Sequence, residues 1–396
     1  MKPIHDQNKI NQLLTRGVEN VYPTADFLRA KLMGKEPLTL YLGIDPTGPT
    51  LHLGHAINLR KLKLFQELGH KVVLLIGDFT GTIGDPTDKS ATRQMLTRKQ
   101  VLANCKLYKK QASKFISFSG KNSAIIKFNS KWLAKMSFVD VVGLASNFTV
   151  QQMLERDMFQ KRMSEGKPIH LHEFLYPLMQ AYDSVAMDVD GEIGGNDQTF
   201  NMLAGRDLMK ILKKKEKFVM TMKLLTDPTG KKMGKSEGNM ITLMDSADEM
   251  FGKIMSWPDE MIDGGFELIT DVASEEITAL KKEMANPRDQ KARLAFEVVK
   301  IFHSEKAATE AQANFDKMFR DKEIPEEISE VKISGSMNVI DVLVETKLAA
   351  SKGEARRLID GGGVKVDGEV VKSYDFVVPK GIVVQKGKRG FVRVVR

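Results

Sequence analysis

The stretch Tyr41-Leu-Gly-Ile-Asp45-Pro-Thr-Gly-Pro-Thr50-Leu-His52-Leu-Gly54-His55 decides the fold of this 396-residue chain. It starts in an apolar run of strand length, and after it apolar residues recur at helical spacing over residues 56–68. Its prolines and glycines therefore form a strand-to-helix turn, with His52, Gly54 and His55 in the first helical turn. Free backbone N–H groups and the helix dipole make such a turn an anion site, and two imidazoles three residues apart can reach one phosphate.

Further strands and turns extend this pattern. A second strand at residues 72–76 leads into a glycine-rich turn at 77–86, and β-rich runs follow at 124–128 and around 185–193. Residues 1–36 have the spacing of a helical lead-in. Alternating strands and helices predict an α/β fold with a Rossmann-like parallel sheet covered by helices on both faces. Ligands in that architecture bind beyond the carboxyl ends of the strands, where both glycine-rich turns lie.

Periodicity and composition divide the chain into four parts. Residues 1–245 form the α/β domain, with a helical insertion at about 100–175, and residues 246–320 are predicted to form an α-helical domain. Residues 321–335 are acidic and contain a proline, as is typical of a linker. Residues 336–396 are predicted to form a small α+β domain that includes a hairpin.

Composition limits the possible classes of protein. With 42% apolar and 28% charged residues the chain is an ordinary globular one, and no apolar run approaches the roughly 20 residues of a membrane span. The N-terminus lacks a signal-peptide layout, and Cys105 is the only cysteine. We therefore expect a cytoplasmic protein that does not associate with a membrane. The net charge of +9 is compatible with a polyanionic partner.

A second motif, Lys231-Lys-Met-Gly-Lys-Ser-Glu-Gly-Asn239, lies far downstream. Lysines on a glycine-bearing loop suit a mobile clamp on pyrophosphate, because each ammonium is a point charge that can follow the leaving group. The alternative is an exposed basic loop without a ligand.

A third group of residues occupies one face of a predicted helix. Tyr176, Gln180 and Asp183 are spaced i, i+4, i+7, and Pro177 requires that helix to start or kink at this point. A phenol, an amide and a carboxylate among apolar neighbours could recognise a zwitterion that carries a phenol. Alternatively, these groups only satisfy one another.

A glycine-rich turn, Gly194-Gly-Asn-Asp-Gln198, follows a short strand. Its backbone can approach a ribose, and Asp197 can accept hydrogen bonds from ribose hydroxyls, although the same residues could form a simple turn. No group of residues has metal-ligand spacing, so the sequence predicts no metal site on the protein.

Together these motifs resemble known signatures. HLGH at 52–55 and KMGKS at 232–236 are similar, in order, to the two signatures of class I aminoacyl-tRNA synthetases. Gly234 stands where the usual pattern has serine, which leaves both lysines in place. Within that class the other two clusters resemble the bacterial tyrosyl-tRNA synthetase family, and residues 336–396 resemble its S-four-type RNA-binding domain. The resemblance covers nearly the whole chain.

The resemblance implies a role for each matching residue. For tyrosine it implies phenol contacts from Tyr41 and Asp183, ammonium contacts from Asp85, Tyr176 and Gln180, and a carboxylate contact from Gln198. For ATP it implies phosphate contacts from Asp45, Thr47, His52 and His55, ribose contacts from Gly195 and Asp197, a pyrophosphate clamp of Lys232 and Lys235, and further contacts from Gly43, Gly54 and Ser236. For RNA it implies backbone contacts from Arg356, Arg357 and Lys365.

The implied activity is tyrosine–tRNA ligation, with L-tyrosine, ATP and tRNA(Tyr) as substrates. Mg²⁺ would arrive with ATP rather than at a dedicated protein site, residues 246–320 would be of the anticodon-binding type, and the protein would be a homodimer. The chain departs from the family at Glu192, where glutamine is usual, and at Thr199-Phe200, where tryptophan follows the Asp-Gln pair. The departure indicates a subgroup and leaves the role of Glu192 open.

Three alternatives remain at this point. A tryptophanyl-tRNA synthetase shares the fold and signatures, although Asp183 opposite Tyr41 suits a phenol better than an indole. A small-molecule nucleotidylyltransferase also uses H-x-G-H, but the C-terminal module argues against it. A non-catalytic RNA-binding paralogue is the third, and the motif residues His52, His55, Lys232 and Lys235, all intact, argue against it.

Overall fold

The computed structural model describes residues 2–87, 95–230, 232, 240–319, 330–332, 337–379, 381–387 and 390–395. The chain forms two compact units, Met1–Glu305 and Lys306–Arg396, and each is described by itself. Two candidate site residues, Lys235 and Ser236, lie outside the described residues, as does most of the predicted linker. The four-part division of the chain stays a prediction.

A sheet of six described strands, in the order β1-β6-β5-β2-β3-β4, forms the centre of the first unit. The strands are β1 (Val18–Tyr22), β2 (Thr39–Ile44), β3 (Lys71–Ile76), β4 (Ile125–Phe128), β5 (Gly191–Gly195) and β6 (Phe218–Met222). Strands β2 to β6 pair in parallel, which confirms the predicted parallel sheet. Its β3 and β6 are almost wholly buried, as expected for strands in the middle of a sheet.

Two features of the sheet differ from the sequence-based expectation. Residues 1–36 are not wholly helical, because β1 pairs antiparallel with β6 at the sheet edge. The run around 185–193 contains a strand only from Gly191, since the residues up to Met187 belong to a helix. In a five-residue strand, apolar and polar residues alternate too few times for the sequence to distinguish the strand from the helices on either side of it.

Helices connect the strands and complete the first unit. In chain order they are α1 (Gln7–Thr15), α2 (Ala25–Leu32), α3 (Leu53–Glu67), α4 (Thr80–Ile83), α5 (Arg98–Asn104), α6 (Tyr108–Ala112), α7 (Ser130–Leu133), α8 (Phe138–Ala145), α9 (Val150–Leu154), α10 (Asp157–Ser164), α11 (Leu171–Met187), α12 (Thr199–Lys213), α13 (Ala247–Met255), α14 (Met261–Ile269), α15 (Ser274–Glu283) and α16 (Pro287–Phe302). Helix α3 is the one predicted after the first motif, with His52 at its N-cap and Gly69 just beyond it at φ +87°. No helix in the described ranges is both long and apolar enough to cross a bilayer.

Helix α11 excludes one of the two expectations for Pro177, a helix start, and leaves the other, a kink. It begins at Leu171, so Pro177 lies in its interior rather than at its start. A proline in a helix interior removes one hydrogen bond of the ladder, and its ring crowds the carbonyl of residue i−4. The buried face of α11 on both sides of Pro177 keeps the remaining turns in place.

The second unit is a small α+β fold. It comprises α17 (Glu305–Phe319), which begins at the last residue of the first unit, α18 (Val339–Glu345), α19 (Lys352–Asp360), β7 (Glu330–Lys332), β8 (Val364–Val366), β9 (Glu369–Val370), β10 (Val383–Lys386) and β11 (Gly390–Val395). The predicted hairpin is confirmed: β8 and β9 pair antiparallel around Asp367 and Gly368, at φ +51° and +85°. Both positive φ angles fit a two-residue hairpin turn of type I′.

Candidate active site

A cleft of about 1330 Å³ opens at the carboxyl ends of the parallel strands. Ile44, Gly77 and Gly195, at the ends of β2, β3 and β5, form part of its wall. The structure brings to this one cleft every described residue predicted to bind tyrosine or ATP. These are Tyr41, Gly43, Asp45, Thr47, His52, Gly54, His55, Asp85, Tyr176, Gln180, Asp183, Gly195, Asp197, Gln198 and Lys232.

His52 and His55 form a fixed pair at the start of α3. His52 Nδ1 accepts the Gly54 N–H (3.1 Å), and His55 Nδ1 accepts the His52 N–H (3.2 Å), with 4.0 Å between the ring centroids. Burial and the nearby Lys232 lower the pKa of His52 to about 4, and burial places the pKa of His55 well below its usual value. Both imidazoles are therefore neutral near pH 7 and carry their proton on Nε2, which makes them hydrogen-bond donors to an anion.

Gly54 allows this pair to form. A Cβ atom there would lie 2.9 Å from Cε1 of His52, closer than side chains approach. Any larger residue would push the His52 ring away from the Gly54 N–H that it caps.

Asp183 and Tyr41 lie at the deep end of the cleft and are both buried. The Asp183 carboxylate accepts from Trp132 Nε1 (2.7 Å) and from Asn129 Nδ2 (3.2 Å). Burial raises the pKa of Asp183, while these two donors act against that rise. Burial also raises the pKa of Tyr41, so its phenol stays protonated. Because Trp132 and Asn129 act here only as donors, Asp183 presents acceptor oxygens to the cleft.

Asp45 and Tyr176 form a second pair, below the strand-to-helix turn. The Tyr176 hydroxyl donates to Asp45 Oδ2 (2.8 Å), and Thr80 Oγ1 donates to Asp45 Oδ1 (2.6 Å). A Cβ atom at Gly77 would lie only 1.9 Å from Asp45 Oδ1, so the glycine makes room for the carboxylate. The Tyr176 oxygen keeps its lone pairs for a donor in the cleft.

Asp85 and Gln198 also line the cleft and contact each other. Gln198 Nε2 donates to Asp85 Oδ2 (2.7 Å), and the Thr87 hydroxyl and N–H donate to Asp85 Oδ1 (2.6 and 2.9 Å). Asn201 Nδ2 in turn donates to Gln198 Oε1 (3.0 Å). These bonds fix both side chains before any ligand binds.

Lys232 forms an ion pair with Asp197. Lys232, which is predicted to bind pyrophosphate, therefore contacts Asp197, which is predicted to bind the ribose. Its ammonium lies close enough to His52 to lower the pKa of that imidazole.

Comparison with known proteins agrees with this geometry. A family described as tRNA synthetases class I (W and Y) matches residues 33–320, and the S4 domain family matches residues 337–384. The tyrosine–tRNA ligase of Thermotoga maritima is 48% identical over 391 residues, covering 97% of this chain and 96% of that protein. The tyrosine–tRNA ligase of Moorella thermoacetica is 45% identical over 394 residues, covering 97% and 95%. The chain belongs to the tyrosine–tRNA ligase family.

A solved structure supports the same fold. A C-terminally truncated mitochondrial tyrosyl-tRNA synthetase from Aspergillus nidulans superposes with a TM-score of 0.65 at 22% identity, over 79% of this chain and 95% of that one. At that identity the likeness concerns the fold alone. As a member of the tyrosine–tRNA ligase family the chain is an aminoacyl-tRNA ligase, and the tryptophan-specific alternative is not favoured.

The S4 domain carries the predicted RNA-binding residues. Arg356 and Arg357 are exposed on α19, and Lys365 is half-buried on β8. The Arg356 guanidinium lies 6.0 Å from the centre of the Tyr374 ring. The arginines are therefore accessible to a polyanion.

The structure also shows residues in contact with the cleft residues that sequence reasoning missed. Trp132 and Asn129 hold Asp183, while Ser184 contacts the Tyr41 hydroxyl (3.0 Å). Lys217 forms a buried ion pair with Glu192 at 2.5 Å. Trp132, one of only two tryptophans, could have been noticed from the sequence, but nothing in the sequence links Lys217 to Glu192.

Proposed function

We propose that the cleft activates L-tyrosine with ATP to give tyrosyl-AMP and pyrophosphate, and then transfers tyrosine to the terminal adenosine of tRNA(Tyr). The observation that carries this proposal is the pairing of Tyr41 and Asp183 at the deep end of one cleft, where Asp183 offers an acceptor. A phenol can accept from Tyr41 and donate to Asp183, whereas phenylalanine would leave both groups unpaired.

The amino acid backbone fits the groups between the deep end and the mouth. The substrate ammonium would be bound by Asp85, Gln180 and the free lone pairs of Tyr176. Gln198, already held by Asp85 and Asn201, would lie near the substrate carboxylate. We assign Asp45 to orienting Tyr176, since Tyr176 donates to it and an ionised carboxylate has no proton to donate to a phosphate.

The phosphate end would work by positioning and charge neutralisation. The tyrosine carboxylate attacks the α-phosphate in line, and pyrophosphate leaves. His52, His55 and Thr47 contact phosphate oxygens beside the N-terminus of α3, the two imidazoles by hydrogen bonds from Nε2, while Gly43 and Gly54 allow the nucleotide close to the backbone. Lys232 moves from Asp197 to the pyrophosphate, which frees Asp197 for the ribose; Lys235 and Ser236 are assigned by motif alone.

Mg²⁺ would enter as part of the ATP substrate and bridge its phosphates. Among the described residues, no group of three His, Cys, Asp or Glu side chains could hold a metal ion. The substrates tRNA and ATP place the proposed reaction in the cytoplasm.

Homodimer formation is part of the proposal. Helix α8 presents Phe138 and Val139, which are 83% and 78% exposed, and Val142 beside them is more than half exposed. Clustered apolar side chains of this size on the surface are typical of a protein interface, and a second copy of the chain is the occupant we propose. Phe138→Lys should convert a dimer to a monomer in sedimentation velocity, while Leu212→Lys on α12, a control at another exposed apolar residue, should not. A wild-type protein that sediments as a monomer would contradict the proposed homodimer.

ATP–pyrophosphate exchange tests the main proposal. The purified protein should catalyse exchange that depends on tyrosine and not on tryptophan, and should then charge tRNA(Tyr). Exchange with tryptophan alone would indicate a tryptophanyl enzyme. Absence of exchange with either amino acid would overturn the proposal and favour a non-catalytic paralogue.

A further inference from the structure

A buried ionic network of Lys217, Ser184 and Glu192 lies behind Tyr41, and none of these three residues has a part in the proposed function. Lys217 precedes β6 and is fully buried. Its ammonium donates to Ser184 Oγ (2.8 Å) and to Glu192 Oε2 (2.5 Å). Gln180 Nε2 donates to the other Glu192 oxygen (3.0 Å), and Ser184 Oγ lies 3.0 Å from the Tyr41 hydroxyl oxygen.

The ammonium fixes the direction of the bond between Ser184 and Tyr41. A lysine ammonium has three donors and no acceptor, so the Ser184 oxygen must accept from Lys217. Ser184 is fully buried, and among the described residues its own proton has no acceptor besides the Tyr41 oxygen. A buried hydroxyl rarely leaves its proton unbonded, so Ser184 donates to Tyr41. The Tyr41 proton then points away from Ser184, towards the Glu192 carboxylate and the cleft, where the substrate hydroxyl would replace Glu192 as its acceptor.

Helix α12 leaves space for the Lys217 ammonium. A Cβ atom at Gly205 of α12 would lie 2.7 Å from Lys217 Nζ and 3.0 Å from Ser184 Oγ, so the helix has a glycine where the charged group needs space. Burial lowers the pKa of Lys217, and the Glu192 carboxylate opposes that change. A well-packed apolar pair is often as stable as a buried ion pair, so stability alone does not explain this one.

We propose that Lys217 is a positioning residue that acts through Ser184 to fix Tyr41 as a hydrogen-bond donor to the substrate hydroxyl, and so sets discrimination between phenols and unsubstituted rings. The inference rests on the proposed function. Hydrogen bonds then run in one direction, from Lys217 through Ser184 and Tyr41 to the substrate oxygen, whose proton goes to Asp183. Glu192 then has a role as well, because it is the counter-ion that keeps the Lys217 ammonium charged.

Two variants test the inference. The double variant Lys217→Met with Glu192→Gln removes the ammonium without leaving a buried charge. Ser184→Ala removes the hydroxyl that lies between Lys217 and Tyr41 and does not change any charge. Lys213→Met, at an exposed lysine of α12, is the matched control. We measure kcat and KM for tyrosine-dependent and phenylalanine-dependent exchange, and the KM for ATP. In the double variant the tyrosine KM should rise about tenfold and the tyrosine-to-phenylalanine ratio of kcat/KM should fall about tenfold, the effect of one misdirected hydrogen bond.

The controls separate this role from simple support of the fold. Phenylalanine exchange and the KM for ATP should stay within about twofold, and Ser184→Ala should shift the tyrosine KM in the same direction. Equal losses for both amino acids, or an unchanged ratio in folded variants, would overturn the inference. If the double variant does not fold, Ser184→Ala decides alone. A wild-type protein without tyrosine-dependent exchange would instead overturn the proposed function.

Discussion

Replacing Asp183 by asparagine removes one charge and one acceptor from the phenol end with almost no change of shape. Trp132 and Asn129 each donate to one Asp183 oxygen, so the new NH₂ group must face one of these donors. Asn129 cannot rotate its amide to relieve the conflict. Its Oδ1 accepts the Phe79 N–H (2.9 Å), and its Nδ2 also donates to Thr80 Oγ1 (2.9 Å).

The magnitude follows from the bond that the substrate loses. A hydrogen bond to a charged acceptor contributes about 1.5–3 kcal/mol, which corresponds to roughly 10- to 150-fold in kcat/KM for tyrosine. Phenylalanine has no hydroxyl, so its kcat/KM should stay the same and the tyrosine-to-phenylalanine ratio should fall by the same factor. Because burial raises the pKa of Asp183 even beside its two donors, loss of the charge offsets the donor conflict, and we expect little change in Tm.

The assay is ATP–pyrophosphate exchange with each amino acid, together with the KM for ATP. Asp188→Asn is the matched control, because it makes the same chemical change at the exposed C-cap of the same helix, where φ is +51° and asparagine is well tolerated. Near-normal exchange with tyrosine and an unchanged ratio in Asp183→Asn would refute the assignment of the phenol site. A parallel rise in the KM for ATP would refute it as well.

Three further predictions concern other parts of the molecule. Lys232→Gln should lower the exchange kcat on the order of 100-fold and leave the tyrosine KM nearly unchanged, because its ammonium contacts Asp197 and not the phenol end; steady-state kinetics with an unaltered kcat would contradict this. His70 accepts the Leu38 N–H (3.2 Å), and burial lowers its pKa from 6.5 to about 4. Since the folded state binds the proton more weakly than the unfolded state, about 3 kcal/mol of stability is present above pH 6.5 and is lost as the pH falls towards 4; denaturant unfolding of His70→Gln should show a pH dependence smaller by about one proton, and an equal slope would speak against it. Arg356→Ala and Arg357→Ala should raise the KM for tRNA and reduce the salt dependence of binding by about one unit per arginine without affecting exchange, and equal salt slopes in a filter-binding titration would count against RNA contact there.

The parts of the site that the sequence could predict are local. The strand-to-helix turn of His52 and His55 and the helix face of Tyr176 and Asp183 each depend on neighbours within about two helical turns, and periodicity reports such neighbours directly. Convergence of these segments in one cleft followed from topology, because the carboxyl ends of parallel strands meet at one edge. The hydrogen-bond partners of the residues in these segments could not be predicted from topology.

The features that could not be predicted depend on long-range contacts. Strand β1 pairs with β6 about two hundred residues later, and Arg16, just before it, donates to carbonyl oxygens of residues 266–272. Such pairs leave no periodic signal in either segment. The same reason explains why Asn129 and Trp132 were missed, since they reach Asp183 from a separate short helix and the turn before it.

The acidic character of the cleft explains why the buried lysine matters. A site for a triphosphate and an amino acid carboxylate is lined by five carboxylates, and each is engaged by donors: Asp45 by Thr80 and Tyr176, Asp85 by Thr87 and Gln198, Asp183 by Asn129 and Trp132, Glu192 by Gln180 and Lys217, and Asp197 by Lys232. In the proposed function the ammonium and phenol of tyrosine bind among these carboxylates, whereas the phosphates bind to the N–H groups of α3 and to its neutral imidazoles. In sequence Lys217 looks like one more member of the basic run at Lys213–Lys215, and only its burial reveals a different role. Without Lys217, the carboxylate of Glu192 would be a buried charge with no counter-ion beside the phenol site. A glutamate in place of the usual glutamine at residue 192 therefore depends on Lys217, and on the space that Gly205 leaves for its ammonium.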